Sequence, residues 1–236
     1  MNFEGALRGM RNPMNSWDKS DSIFYIVSNS DKVCKKCNGV ETSILDTVII
    51  GENDMKLAQK LIRAGSEHRK FMRQIFVSVD ITAPLYWWKE FDTYKVGTVA
   101  NSTSTMHKLA STPITLDCFE IDDYEPNLFV YYEHSNVNDI VKPDIISFLE
   151  TLRQHYLETK DKRYWKELIR WLPESWLQTR TVTMSYENIF TICKQRKTHK
   201  LNEWSGQDDN TKPNFISWAR TLPYAQELIF IDELED

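Results

Sequence analysis

Asp92-Thr-Tyr-Lys-Val-Gly-Thr-Val-Ala-Asn101-Ser-Thr-Ser104-Thr-Met-His107 follows closely on the apolar aromatic run Ala83-Pro-Leu-Tyr-Trp-Trp88. The stretch packs an amide, a series of hydroxyls, a lysine and a histidine into a short span around one glycine, Gly97. Such a run suits neither a plain core helix nor a plain core strand. Short polar side chains flanking a glycine suit a backbone that bends around a small polar ligand.

Working outward, Pro84 suits the first turn of a helix over 84–95, and 98–112 reads as a second helical piece ending before Pro113. Upstream, Gln74 to Ile81 alternates and is β-branched, which predicts a strand. Asn53 or Asp54 can cap a helix whose apolar positions Met55, Leu57, Ala58, Leu61 and Ile62 fit helical spacing, with Gly65 as its stop. Ile23–Val27 and Ile44–Ile50 read as strands joined by a turn over 32–41, and the first twenty residues are polar and irregular. Downstream, Leu128–Tyr132 is a strand or a buried helical turn. Helices are expected over 144–158, 163–171, 181–197 and 215–221, and 206–213 is the least ordered stretch by composition. The class is α/β (α+β), a central mixed or antiparallel sheet with packed helices. It reads as one domain over 1–236, with 1–42 as an N-terminal appendage, 43–205 as the core and 206–236 as a C-terminal tail helix.

Apolar residues make up 41% and aromatic residues 12% of the 236 residues, which excludes a disordered chain. The net charge of -5 argues against loose electrostatic binding to nucleic acid or to an anionic membrane, while leaving room for a local phosphate pocket. No run approaches the roughly 20 apolar residues of a membrane span, and the N-terminus lacks a signal-peptide core. With four cysteines and no dense disulfide framework, a cytoplasmic protein with reduced thiols is expected.

Val33-Cys34-Lys-Lys-Cys37-Asn-Gly39 has the shape of a zinc-knuckle turn, but a closed site needs four ligands and no second such pair exists. Two turn cysteines is the plainer reading. The five histidines lack metal-binding spacing, and no dinucleotide, Walker or nucleophile-elbow motif is present. Glu67-His-Arg-Lys-Phe-Met-Arg73 puts three cations and a histidine between a Gly-ended helix and a strand, where they can hold a phosphate or carboxylate or can simply form a solvated basic loop. Tyr86-Trp87-Trp88 with Phe91 reads as core or subunit interface. Ile189, Ile192 and Cys193 read as the buried stripe of the late helix.

The order of these elements resembles the flavin-dependent thymidylate synthases. In that family a Gly-ended helix, a Gly-His-x-x-Pro-x-Glu-His-like turn, a strand and a helix lead into Arg-His-Arg-x-x-Ser-x-Asn-x-x-Ser-x-Arg-Tyr. A Leu-Pro, a helix with Asn-x-Arg and a final Arg follow. Here Gly65, Glu67-His68, the strand at 74–81, the helix from Pro84, Leu172-Pro173 and Arg196 fall in that order across residues 50–205. The chain also resembles proteins encoded by phages of low-GC bacteria. In the register set by Asn101, Ser104 matches, His107 stands for the terminal Tyr, and Arg196 matches the late arginine that holds dUMP in the family. The triplet reads Tyr94-Lys95-Val96, the first Ser reads Val99, the substrate-binding Arg reads Met106, and Asn-x-Arg reads Ser185-Tyr186-Glu187.

The resemblance implies a homotetramer that shares its active sites between subunits and acts at C5 of a dUMP-like pyrimidine nucleotide. FAD would be its cofactor, with NADPH and methylenetetrahydrofolate as co-substrates. It implies substrate-binding roles for Asn101, Ser104, His107 and Arg196, and cofactor-binding roles for His68, Arg69, Tyr94 and Lys95. The lost arginines leave two functions open. One is an enzyme that holds FAD despite Tyr94-Lys95-Val96. The other is a catalytically inactive phage protein on the same scaffold that binds nucleotides or engages a host protein. A zinc-knuckle adaptor built on Cys34 and Cys37 is a third.

Overall fold

The computed structural model describes residues 1–24, 48–121, 131–132 and 135–234. In chain order its elements are α1 (Phe3–Arg11), β1 (Ile23–Phe24), β2 (Val48–Ile49), α2 (Glu52–Arg63), β3 (Phe76–Pro84), α3 (Leu85–Phe91), β4 (Val99–Ser102) and α4 (Thr105–Lys108). There follow β5 (Tyr131–Tyr132), β6 (Ser135–Asn136), α5 (Val137–Thr159), α6 (Lys162–Arg170), β7 (Leu177–Ser185), α7 (Tyr186–Arg196), α8 (Asn202–Ser205), α9 (Phe215–Arg220) and α10 (Ala225–Leu228). The α/β class with packed helices is as the sequence implies. The largest sheet has three strands in the order β3-β7-β4, and β1-β2 and β5-β6 form two antiparallel pairs.

The chain forms two compact units, 1–78 with 96–99 and 183–236, and 79–95 with 100–182. Strands β3 and β7 run through both. On one face hydroxyls pair across these strands: Ser78 with Thr183 at 2.7 Å in the first unit, and Thr82 with Thr179 at 2.7 Å in the second, where Thr181 also donates to Asp80 at 2.5 Å. Numbers fall along β7 as they rise along β3, so the two strands are antiparallel.

In the first unit, α1 and α7 both pack on a 3-10 turn over Arg69–Gln74. Phe3, Leu7 and Met10 of α1 are buried, as are Phe71 and Met72 of the turn, Ile75 just after it, and Ile189, Ile192 and Cys193 of α7, the stripe expected there. In the second unit Leu109, Ile114, Phe119, Leu149, Leu152 and Leu168 form one core where α5 meets α6. Trp87, Trp88 and Phe91 are buried too, the core reading of the aromatic cluster.

Several expectations are corrected. Residues 181–197 are not one helix, because the chain is strand to Ser185 and helix from Tyr186. Gln178, Val182 and Met184 point in while Thr179, Thr181 and Thr183 pair on the other face, and this period of two with its β-branched residues belongs to a strand. Residues 98–112 are likewise not one helix: Val99–Ser102 is strand, followed by the single turn α4. The helix read over 84–95 is shorter, Pro84 being its N-cap and a 3-10 turn taking over at Asp92. Helix α5 starts at Val137, ahead of the expected 144. Neither Asn53 nor Asp54 caps α2; Gly51 is the N-cap, and the Asp21 carboxylate accepts the Asn53 and Asp54 N–H groups at 2.8 and 3.0 Å. Tyr131–Tyr132 is strand, whereas 128–130, the strand beyond Phe24, the turn at 32–41 and 44–47 lie outside the described residues.

Candidate functional site

The candidate residues of the second unit sit where β4 passes into α4. All four β4 residues are exposed, including Asn101. Ser104 is the N-cap of α4, and its hydroxyl accepts the His107 N–H at 3.0 Å. That bond turns the chain from strand to helix and leaves the His107 ring exposed on the turn.

Behind the junction lies a support that the sequence reading missed. Gln178, only 7% exposed, donates to the Thr103 carbonyl at 3.1 Å, and the Thr103 N–H donates to the Thr179 carbonyl at 2.8 Å. Arg180 donates to Gln178 Oε1 at 2.9 Å and to Asp92 Oδ1 at 3.0 Å, and its guanidinium lies 4.2 Å from the Trp88 ring centroid. The Trp88 indole N–H reaches the Gln178 carbonyl at 2.9 Å. The side chains of Gln178 and Arg180 and the Trp88 indole N–H are thus each met by a partner, as burial requires. The available signal was two polar residues, Gln178 and Arg180, on the apolar phase of an alternating strand. Tyr94 is half-buried in a 3-10 turn, and Lys95 after it is exposed.

In the first unit His68 is exposed at the head of the basic turn, where its N–H and that of Arg69 both donate to the Gly65 carbonyl at 3.0 Å. The arginines of this turn already hold a carboxylate of the chain. Glu187, in the first turn of α7, accepts from Arg69 Nε at 3.3 Å, from Arg73 Nη2 at 3.3 Å, and from Arg73 Nε. Arg69 also lies 4.6 Å from the Phe190 ring centroid. Hydrogen bonding to Glu187 raises the Arg73 guanidinium above its ordinary range. Burial, the largest cause, pushes the Cys193 thiol of the same helix up to about 12 against the opposing charge of Arg220, which removes it as a nucleophile.

Asn188 joins a second segment to the same helix turn. Its amide oxygen accepts from the Ser185 N–H and hydroxyl at 3.1 and 2.7 Å, closing a capping box, and its Nδ2 donates to the Val96 carbonyl at 2.7 Å. Gly97 follows with φ of 78°, a left-handed backbone that favours glycine. Arg196, the last residue of α7, places its guanidinium 5.0 Å from the Trp204 ring centroid.

The structure therefore gathers Asn101, Ser104 and His107 on one strand-to-helix junction. It gathers His68 and Arg69 on one basic turn, and it sets Arg196 at the far end of α7. Among the described residues no cluster of histidine, cysteine and carboxylate side chains could hold a metal ion, and Cys34 and Cys37 lie outside them. Among the same residues no helix is long and apolar enough to cross a membrane.

No protein-family model matches the chain, and no curated protein does. Solved structures do. The flavin-dependent thymidylate synthase ThyX from Helicobacter pylori, complexed with FAD and dUMP, is similar with a TM-score of 0.56 at 14% identity, over 97% of this chain and 93% of that one. A second structure of thymidylate synthase X (ThyX) from Helicobacter pylori, also with FAD and dUMP, gives 0.54 at 15% identity over 99% of this chain and 94% of that one. The chain has the fold of the flavin-dependent thymidylate synthases, as its order of elements implied.

Proposed function

We propose that this chain binds FAD and a dUMP-like pyrimidine nucleotide, and that it modifies the nucleotide at C5 as a homo-oligomer in the cytoplasm. The observation that carries the reading is the likeness, over nearly the whole chain, to a synthase complexed with FAD and dUMP. Each unit by itself offers donors of the kind such ligands need. Lys95, Asn101 and His107 are exposed, and Ser104 accepts one backbone N–H while keeping its own O–H to donate. Arg196 adds a guanidinium already oriented against Trp204.

In this reading Arg196 takes the nucleotide phosphate through charge-assisted hydrogen bonds, and Asn101 and Ser104 bond to phosphate or base. His107 presents a ring where the family has tyrosine. His68, Arg69, Tyr94 and Lys95 hold the cofactor, Lys95 supplying as a point charge what the family's triplet supplies as a planar fork. A bound flavin would supply the hydride, NADPH its electrons and methylenetetrahydrofolate the carbon. The part of the protein is to bind, orient and stabilise charge.

One observation favours a second reading, a nucleotide-binding protein without turnover. Glu187 stands where the family's Asn-x-Arg has its arginine, and it engages both Arg69 and Arg73. Calorimetric titration with dUMP, with and without FAD, separates the two. The enzyme reading expects nucleotide binding that tightens with FAD and turnover with methylenetetrahydrofolate and NADPH. The second expects nucleotide binding that ignores FAD. A chain that binds neither ligand refutes both.

A further inference from the structure

Within the first unit the first turn of α7 meets two segments, the basic turn that bears His68 and Arg69 and the loop over 96–99 that follows Lys95 in sequence. Glu187, whose side chain is 13% exposed, receives Arg69 and Arg73 of the basic turn, so it fixes the segment that bears His68 and Arg69. Asn188 Nδ2 donates to the carbonyl of Val96, the residue directly after Tyr94 and Lys95. The Val96 side chain is 90% exposed and that of Val99 64%, so apolar burial contributes little at either end of this loop. Its path is held by polar bonds instead, and Asn188 supplies one from a helix whose capping box has already locked its own amide. The two side chains are neighbours on one helical turn, so within the first unit the basic turn and the loop over 96–99 are tied to one rigid element.

We infer that Glu187 and Asn188 are positioning residues for the flavin-binding segments. Glu187 aims the basic turn and Asn188 aims the loop after Lys95, with neither touching the ligand. The inference rests on the function proposed above and names how that site is held in shape.

Asn188→Asp separates the loop tie from helix capping. Aspartate keeps an oxygen to accept from Ser185, and its charge suits a helix N-terminus, but it cannot donate to the Val96 carbonyl. Glu187→Gln keeps the shape and removes the charge that gathers Arg69 and Arg73. Glu150→Gln is the control, since Glu150 is held by Arg153 at 2.6 and 2.7 Å in an ion pair of the second unit. FAD affinity is read from quenching of flavin fluorescence, and thermal unfolding is followed in parallel.

The expected result is FAD affinity about tenfold weaker in Asn188→Asp at an unchanged melting temperature, and similarly weaker in Glu187→Gln. That is the size of losing one hydrogen bond to or near a charged group. Glu150→Gln melts lower and binds FAD as the wild type does. Backbone amides of 96–99 exchange faster in Asn188→Asp. Variants that bind FAD as tightly as the wild type overturn the inference and leave the proposed function standing. Equal loss of FAD affinity in Glu150→Gln overturns it as well, since the effect is then general destabilisation. A wild-type chain that binds no FAD overturns the function and this inference together.

Discussion

Arg11 and Asp54 form a buried ion pair, with Arg11 Nε donating to Asp54 Oδ1 at 2.5 Å and side chains only 5% and 0% exposed. Asp54 also accepts from the hydroxyls of Ser20 and Ser22 at 2.6 and 2.5 Å, while Arg11 reaches the Ser16 carbonyl at 3.2 Å. The pair ties α1 directly to α2 and draws Ser16, Ser20 and Ser22 onto it. Removing one partner leaves a charge buried without compensation, at a cost of about 3–5 kcal/mol. Asp54→Ala should therefore lower the unfolding transition of the first unit by on the order of 10 °C, read by calorimetry, and Arg11→Met with Asp54→Leu should restore part of it.

The same carboxylate makes acid stability a test. Burial pushes the Asp54 pKa up, but hydrogen bonds from Ser20, Ser22 and Arg11 outweigh it and hold the group below the usual aspartate value. Glu150 is lowered to about 2, chiefly by hydrogen bonding from Arg153, against a smaller opposing effect of burial and with help from the Ile114 N–H. A carboxylate whose folded value is depressed stabilises fully above its unfolded value and loses that contribution as pH falls through the folded one. Stability should thus be flat above about pH 5 and fall between about 4.5 and 2. Denaturant titrations across that window should show a shallower fall in Glu150→Gln. Its share is on the order of 1–2 kcal/mol, since water reaches the pair and screens it.

Gly51 is required by a close approach. A Cβ there would lie 2.5 Å from the backbone of Asp21 and 2.2 Å from its carboxyl carbon. Since that carboxylate caps α2, Gly51→Ala must displace the cap, and a lost cap costs about 1 kcal/mol before any backbone strain is added. Gly51→Ala and Asp21→Ala should each lower the melting temperature, and the double variant should fall short of the sum of the two.

The elements with clear punctuation were legible: α6 before Leu172-Pro173, α2 up to Gly65, and α9. The buried stripe of α7 was legible from its spacing, and the fold from the order of elements across 50–205. The β7–α7 junction was not, because the apolar periodicity of α7 reads without a break into the alternation of β7, and Ser185 marks the boundary only through its capping box. Strand β4 was hidden for another reason: all four of its residues are exposed, so no apolar phase reports it. The cation-rich turn was visible as composition. That its arginines meet Glu187 was not, since the partners are more than a hundred residues apart. Asn101, Ser104 and His107 could be singled out through the register of the family's motif, whereas Gln178 and Arg180 behind them required the strand register.

Nucleotide recognition gives a pair of variants with distinct signatures. Arg196→Gln should weaken dUMP binding by about 10- to 100-fold, the scale of a charge-assisted hydrogen bond, with a smaller loss of stability, about 1 kcal/mol, from the guanidinium's packing on the Trp204 ring. Ser104→Ala should weaken it about tenfold and also cost about 1 kcal/mol of the α4 cap. Calorimetric titration with parallel thermal melts separates the two.

The most direct measurement is the visible spectrum of the purified chain with added FAD, before and after dUMP. The account predicts a protein-bound flavin band that shifts when the nucleotide is added and bleaches with NADPH. Free-flavin absorbance that dialyses away, with no response to dUMP, would contradict it.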